Sequence, residues 1–219
     1  YNDIIELTGA SPLIIKCGIE QSFKMTSEQL EKSITTKTKL VVINSPSNPT
    51  GSVYSKKELL ELSNILLKYP DIYIVTDDIY EHIKLDEQSF HNILMVQPKL
   101  KNRCIIINGV SKAYSMTGWR IGFAAGPKTI ISAMGILQSQ STSNPTSISQ
   151  AAAEAALLGD QSYIKPMLKA FIERHTFVVN AFNDIDGIDC IKAQGAFYSF
   201  PCAKKAIESL YKKGKINNN

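Results

Sequence analysis

Apolar residues in this chain gather in short unbroken runs separated by polar, turn-rich loops. Residues 39–43, 72–75 and 103–107 are continuous and rich in β-branched side chains, as in parallel strands buried on both faces. Between the first two, Leu59, Leu62, Ile65 and Leu66 recur with helical period. Ser55 and Glu58 supply a capping box for that helix, which is expected to run to about residue 68. Thr26 caps an earlier helix, with Glu28 in its first turn. Residues 1–8 predict a short helix stopped by Gly9, and 12–16 a short strand. Irregular structure is expected from Ile79 to about residue 100. Residues 120–125 predict a further strand, and 128–138 and the alanine-rich 147–158 predict helices. A long helical stretch spans 160–182, where Pro166 predicts a kink or a restart. Short β-like runs at 188–193 and 196–200 flank Gly195.

Strand, helix, strand repeated in this way indicates an α/β fold with a mostly parallel, doubly wound sheet. Residues 1–160 are expected to form part of a large domain. Residues 161–219 are expected to be a linking helix and the truncated start of a smaller α+β C-terminal domain. An open parallel sheet binds ligands at the carboxyl ends of its strands. Three loops leave that edge. The first carries Asn48, the second Asp77 and Tyr80, the third Ser111 and Lys112, with Arg120 a short hairpin away. Each residue alone has an ordinary explanation: turn chemistry for Asn48, a turn cap for Asp77, packing for Tyr80, a surface charge for Lys112, an ion pair for Arg120. Together they suit a flat, phosphorylated, basic heterocycle that forms a Schiff base with lysine.

Composition narrows the alternatives. The 219 residues are 44% hydrophobic and 20% charged, with a net charge of +4. Much of the excess lies at Lys204, Lys205, Lys212, Lys213 and Lys215, a solvated basic face rather than a nucleic-acid surface. Cys17, Cys104, Cys190 and Cys202 form no C-x-x-C pair, so neither a disulfide framework nor a zinc site is indicated. No apolar run reaches about 18 residues and no secretory signal pattern opens the chain, which makes a cytoplasmic protein the default and a membrane partner unexpected. The only Gly-Lys pair, Gly214-Lys215, is followed by isoleucine, and no G-x-G-x-x-G follows a strand, so P-loop and Rossmann readings fail. His82, His91 and His175 lack metal-ligand spacing. The chain opens on Tyr1 and closes on Ile216-Asn217-Asn218-Asn219; both ends look like breaks in a longer pattern.

Four motifs carry a resemblance. They are Ser45-Pro46-Ser47-Asn48-Pro49-Thr50-Gly51, Asp77-Asp78-Ile79-Tyr80-Glu81-His82, Ser111-Lys112-Ala113-Tyr114-Ser115-Met116-Thr117-Gly118-Trp119-Arg120-Ile121-Gly122, and Gly195-Ala196-Phe197-Tyr198. In this order they resemble the class I/II aminotransferases of fold type I, which use pyridoxal 5′-phosphate, and most of all their bacterial aspartate/prephenate branch. The resemblance implies a transaminase that moves an amino group between an amino acid of the aspartate/glutamate type and a 2-oxo acid. It implies that Lys112 carries the cofactor as a Schiff base and moves the substrate proton, and that Asp77 pairs with the ring nitrogen. It implies that Tyr80 and Asn48 hydrogen-bond the ring oxygen, Asn48 also facing substrate, and that Ser111 and Arg120 hold the phosphate. The family usually has glutamate after the ring aspartate; here Asp78 stands there. The resemblance covers the middle of the family's length, so the chain is expected to be an internal fragment of a homodimeric parent. A non-catalytic remnant, or a domain that binds cofactor or partner without turnover, is the alternative.

Overall fold

The structure, a computed structural model, describes residues 1–217; the tail expected at Asn218 and Asn219 lies outside the described residues. Its helices are α1 (Asn2–Leu7), α2 (Ser27–Ser33), α3 (Lys56–Leu67), α4 (Ile93–Val96), α5 (Lys128–Ser141), α6 (Ser147–Leu158), α7 (Ile164–Asn183) and α8 (Lys204–Lys212). The strands β1 (Leu40–Asn44), β2 (Tyr73–Asp77), β3 (Cys104–Gly109) and β4 (Gly122–Ala125) form one sheet in chain order. β1, β2 and β3 are parallel, with Val42 opposite Val75 and Asp77 opposite Ile107. β4 returns antiparallel, Gly109 facing Gly122. The sheet is mixed but mostly parallel, and the fold is α/β as the strand pattern anticipates.

Parallel neighbours require crossovers, here carrying α3 and α4. Each crossover moves the chain one place in the same direction across the sheet. Right-handed connections then put both helices on one face. Leu30 of α2, Leu59, Leu62 and Leu66 of α3, and Ile93 of α4 pack there against Ile43, Ile74 and Cys104 of the strands. Each such side chain contributes roughly 1.5–3 kcal/mol by leaving water. Both capped helices start where expected. Ser55 Oγ accepts from the Glu58 N–H at 3.3 Å while Glu58 Oε2 accepts from the Ser55 N–H at 2.7 Å. Thr26 caps α2 with Gln29 as its reciprocal partner, and Glu28 lies in the first turn.

Elsewhere the chain departs from the pattern. Residues 12–16 join no strand, and Leu13 and Ile14 stand exposed. No neighbouring strand among the described residues fills their backbone hydrogen bonds, so the apolar run stays irregular. Ile93 and Leu100 anchor α4 and a 3-10 turn at Pro98–Arg103 within the segment expected to be irregular. Pro166 lies in the first turn of α7, where backbone N–H groups have no intrahelical partner, so it restarts the helix rather than kinking it. The basic stretch near the end is solvated but also helical, as α8. The β-like runs around Gly195 reduce to single pairings, Lys84 with Gly195 and Asp189 with Cys202. No described helix is long and apolar enough to cross a membrane.

Candidate active site

Strand alternation separates the two aspartates at the end of β2. Thr76 and Asp78 turn to the helix-covered face, and Asp77 turns to the other. Asp78 is buried and accepts hydrogen bonds from Thr76 Oγ1 and Asn92 Nδ2, both at 2.6 Å. Burial pushes its carboxyl up to about 6, against the pull of those two bonds. Asp77 is half-buried at the crevice. Its Oδ1 accepts from the Ile79 N–H at 3.3 Å and its Oδ2 accepts from the Tyr1 hydroxyl. Burial, and then this contact with Asp77, hold the Tyr1 phenol well above its ordinary range.

A cavity of about 280 Å³ opens at the carboxyl edge of the sheet, lined by Asp77, Ile79, Ile107, Asn108, Ser111, Arg120, Ile121 and Gly122. Three of the six expected residues, Asp77, Ser111 and Arg120, therefore share one wall. Arg120 closes a 3-10 turn, Thr117–Trp119, in a left-handed conformation (φ 57°), and its Nη1 donates to the Thr117 carbonyl at 2.9 Å. β3 and β4 can meet beneath it because Gly109 has no side chain. A Cβ there would lie 2.8 Å from the Ile121 carbonyl oxygen.

The other three expected residues gather next to the cavity, around the Tyr80 phenol. Lys112 Nζ lies 5.7 Å from the Tyr80 ring centroid, within cation–π range. Tyr80 is buried, and its hydroxyl is 2.5 Å from that of Tyr198. Burial first, and then the Tyr198 bond, push the Tyr80 phenol well up; the Asn48 side chain pulls the other way. Asn48 itself is exposed. Its loop is tied to the sheet through Asn44, whose Oδ1 accepts from the Asn48 N–H at 2.8 Å and whose Nδ2 donates to the Asp77 carbonyl at 3.2 Å.

Some residues at this edge carried no role in the sequence reading. Asn108 lines the cavity, and its Nδ2 donates to Glu81 Oε1 at 2.7 Å. Tyr198 reaches Tyr80 because its segment is strapped across two loops. Gln194 and Gly195 both donate N–H groups to the Gly51 carbonyl, at 3.0 and 2.9 Å, and the Ala196 N–H donates to the Ile83 carbonyl at 2.8 Å. Gly195 passes so close to the Asn48 loop that a Cβ would lie 2.7 Å from Pro46 Cβ. His175, 6% exposed on α7, accepts the Ala193 N–H on Nε2 at 2.9 Å and has Nδ1 3.2 Å from Ser199 Oγ. The glycine followed by two aromatics was the available signal for Tyr198; a histidine inside a helical pattern gave none for His175.

The donor set fits a flat ring with a phosphate at one end and a protonated nitrogen at the other. Asp77 already accepts a hydrogen bond from a proton donor, the Tyr1 hydroxyl. Ser111 and Arg120 place a hydroxyl and a guanidinium on the same cavity wall, a pairing chemically suited to a phosphate.

A family model for aminotransferase class I and II matches residues 1–217. The chain is 54% identical over its whole length to an aspartate/prephenate aminotransferase of Nitrosomonas europaea, covering 55% of that protein. It is 45% identical over 215 residues to an aspartate aminotransferase of Rhizobium meliloti, covering 98% of this chain and 52% of that one. A crystal structure of the Rhizobium meliloti aspartate aminotransferase superposes with a TM-score of 0.91 at 47% identity, over 93% of this chain and 51% of the other. An aromatic aminotransferase from Pyrococcus horikoshii superposes with a TM-score of 0.88 at 33% identity. The chain spans about half the length of the curated relatives it matches. With the loop motifs, the sheet and the comparisons in agreement, this chain belongs to the class I and II aminotransferases, a family dependent on pyridoxal phosphate.

Proposed function

We propose that the protein containing this chain is an aminotransferase for amino acids of the aspartate type and their 2-oxo acid partners, and that this chain supplies its cofactor anchor. The cavity whose wall combines Asp77, Ser111 and Arg120, beside Lys112 and Tyr80, carries this reading. Pyridoxal phosphate, when bound, supplies an electron-accepting ring that makes the proton on an amino acid's Cα removable. The chain's own residues do the rest. Ser111 and Arg120 bind the phosphate, and the planar guanidinium suits two of its oxygens at once. Asp77 keeps a proton on the ring nitrogen through a charge-assisted hydrogen bond. Tyr80 and Asn48 hold the ring oxygen, and Asn48 also faces the substrate. Lys112 would anchor the cofactor through Nζ, and the same amine, when free, would take up and return the proton on the substrate Cα.

Prephenate is a second substrate class to test, since the Nitrosomonas relative is named for it. On the same likeness we propose a cytoplasmic homodimer, and a division near residue 160 between a large cofactor-binding domain and a smaller C-terminal one.

The test is chemical. The intact protein is loaded with pyridoxal phosphate, reduced with borohydride, digested and mapped by mass spectrometry, and its transamination of aspartate with 2-oxoglutarate is measured. The expected result is a pyridoxyl label on Lys112, absent in Lys112→Ala, together with turnover. A label on another lysine removes the site assignment. A label on Lys112 without turnover of any amino acid favours a cofactor-binding remnant over an enzyme.

A further inference from the structure

The aromatic motif at Gly195–Tyr198 has so far no part in the chemistry, yet it is among the most tightly held segments at the site. Four backbone hydrogen bonds pin residues 194–196 to the Gly51 loop and to the Ile83–Leu85 segment: Gln194 and Gly195 to Gly51 O, Ala196 to Ile83 O, and Leu85 N–H to Gln194 O at 2.9 Å. Gly195 has no room for a side chain against Pro46 and Val53. Phe197 packs on Phe171 of α7 at 5.4 Å, on Tyr80 at 5.6 Å and on Tyr198 at 4.8 Å between ring centroids. Tyr198 meets Tyr80 edge-on at 5.7 Å, and their hydroxyls are 2.5 Å apart. All of these restraints converge on the position of one oxygen atom.

A phenol has one proton to donate and lone pairs to accept with. Tyr80 is buried, its hydroxyl meets that of Tyr198, and Lys112 Nζ lies 5.7 Å from its ring centroid. If Tyr80 donates to Tyr198, its proton is spent within the protein. If Tyr198 donates to Tyr80, the Tyr80 proton is free to point at a ligand oxygen, and the second hydroxyl polarises the first. Rotation of two O–H bonds interchanges these arrangements without moving a heavy atom.

We propose that Tyr198 is a positioning residue: its hydroxyl fixes the Tyr80 oxygen and donates to it when cofactor is bound, so that Tyr80 delivers its own proton to the cofactor's ring oxygen. The inference rests on the cofactor reading above. It assigns to the Gly195–Tyr198 segment a chemical task that packing alone does not require, since a phenylalanine at 198 fills the same space.

The experiment compares Tyr198→Phe, Tyr80→Phe and the double variant in the intact protein, in two arms. In the ligand-free arm, tyrosine labelled with ¹³C at Cζ reports the hydrogen bond at Tyr80. Removing the Tyr198 hydroxyl is expected to shift the Tyr80 Cζ resonance at neutral pH, since the two hydroxyls are 2.5 Å apart. In the loaded arm, the pH midpoint of the bound cofactor's visible absorbance is read. A donor to the ring oxygen stabilises its anionic form, so Tyr198→Phe is expected to raise that midpoint by about half a pH unit, less than Tyr80→Phe does, because it acts only through the first hydroxyl. In the Tyr80→Phe background the further change Tyr198→Phe is expected to have no effect on it. An equal shift in both backgrounds, or none in either, overturns the proposal. An unchanged Tyr80 Cζ resonance in the ligand-free arm overturns it independently. If the parent protein takes up no cofactor at all, the functional reading falls, while the ligand-free arm still decides the Tyr198–Tyr80 bond.

Discussion

Asp78 makes this fold sensitive to pH in an unusual direction. The carboxyl is 1% exposed, and burial moves it from an ordinary 3.8 to about 6. The folded chain therefore holds this proton more tightly than the unfolded chain does. The stabilisation is complete below about pH 4 and is lost as the pH rises through 6. A change of roughly two pH units at about 1.36 kcal/mol each gives about 3 kcal/mol across that window. Asp78→Asn removes the charge while keeping the shape. With its amide turned, Oδ1 accepts from Asn92 Nδ2, and Nδ2 donates to Thr76 Oγ1, whose own proton then loses its acceptor at a cost of about 1 kcal/mol. The variant is expected to be about 2 kcal/mol more stable than the parent at pH 8 and no more stable at pH 4. Urea melts at pH 4, 5, 6, 7 and 8 measure this, with the slope against denaturant checked for constancy. A variant that keeps the parent's dependence between pH 4 and 6, or loses stability equally at both ends, refutes the burial argument.

Three further outcomes bear on the site. His175 is held neutral, burial first and Lys192 second lowering its affinity for a proton. Its contribution is therefore present above pH 6.5 and lost on acidification below that, the reverse of Asp78; in His175→Gln, melts between pH 7 and 5 should lose that fall, and an unchanged profile sinks the assignment. Gly195→Ala drives a methyl into Pro46 and Val53, with an expected loss of about 1–3 kcal/mol; a thermal melt identical to the parent's counts against the close packing of the strap on the Asn48 loop. Arg120→Ala is expected to weaken pyridoxal phosphate binding by about 10–100-fold, the worth of a hydrogen bond to a charged group; unchanged affinity by fluorescence titration places the phosphate elsewhere.

The parts of the fold fixed by local chemistry were legible in the sequence. β1, β2 and β3 announced themselves as unbroken β-branched runs, and α3 as a capped amphipathic helix. Their carboxyl ends brought Asn48, Asp77, Tyr80, Ser111 and Lys112 to one edge by topology alone. What escaped depends on partners distant in the chain. Residues 12–16 carry a strand's composition, but a strand needs a neighbour, and none among the described residues runs beside them. Pro166 allowed a kink or a start, and only the turn preceding Ile164 decides between them. The Tyr80–Tyr198 bond spans 118 residues of sequence, and no periodicity encodes it. His175 sits in an ordinary helical pattern, yet its ring joins Ala193 to Ser199.

The strap across Gly51 and Ile83 also sets an order of assembly. The four strands lie within residues 40–125 and pair in chain order, so the sheet can close as soon as β4 leaves the ribosome. Tyr80, however, gains its hydroxyl partner, and Gly51 its two donors, only when residues 194–198 arrive. That is roughly 70 residues later, or about 4–15 s at a synthesis rate of about 5–20 residues per second. During that interval Lys112, Asp77 and Arg120 stand at the edge of a formed sheet whose Tyr80 side is still unsecured. The Tyr80 side of the pocket thus matures after the sheet, and its completion reports that α7 and the segment after it have docked.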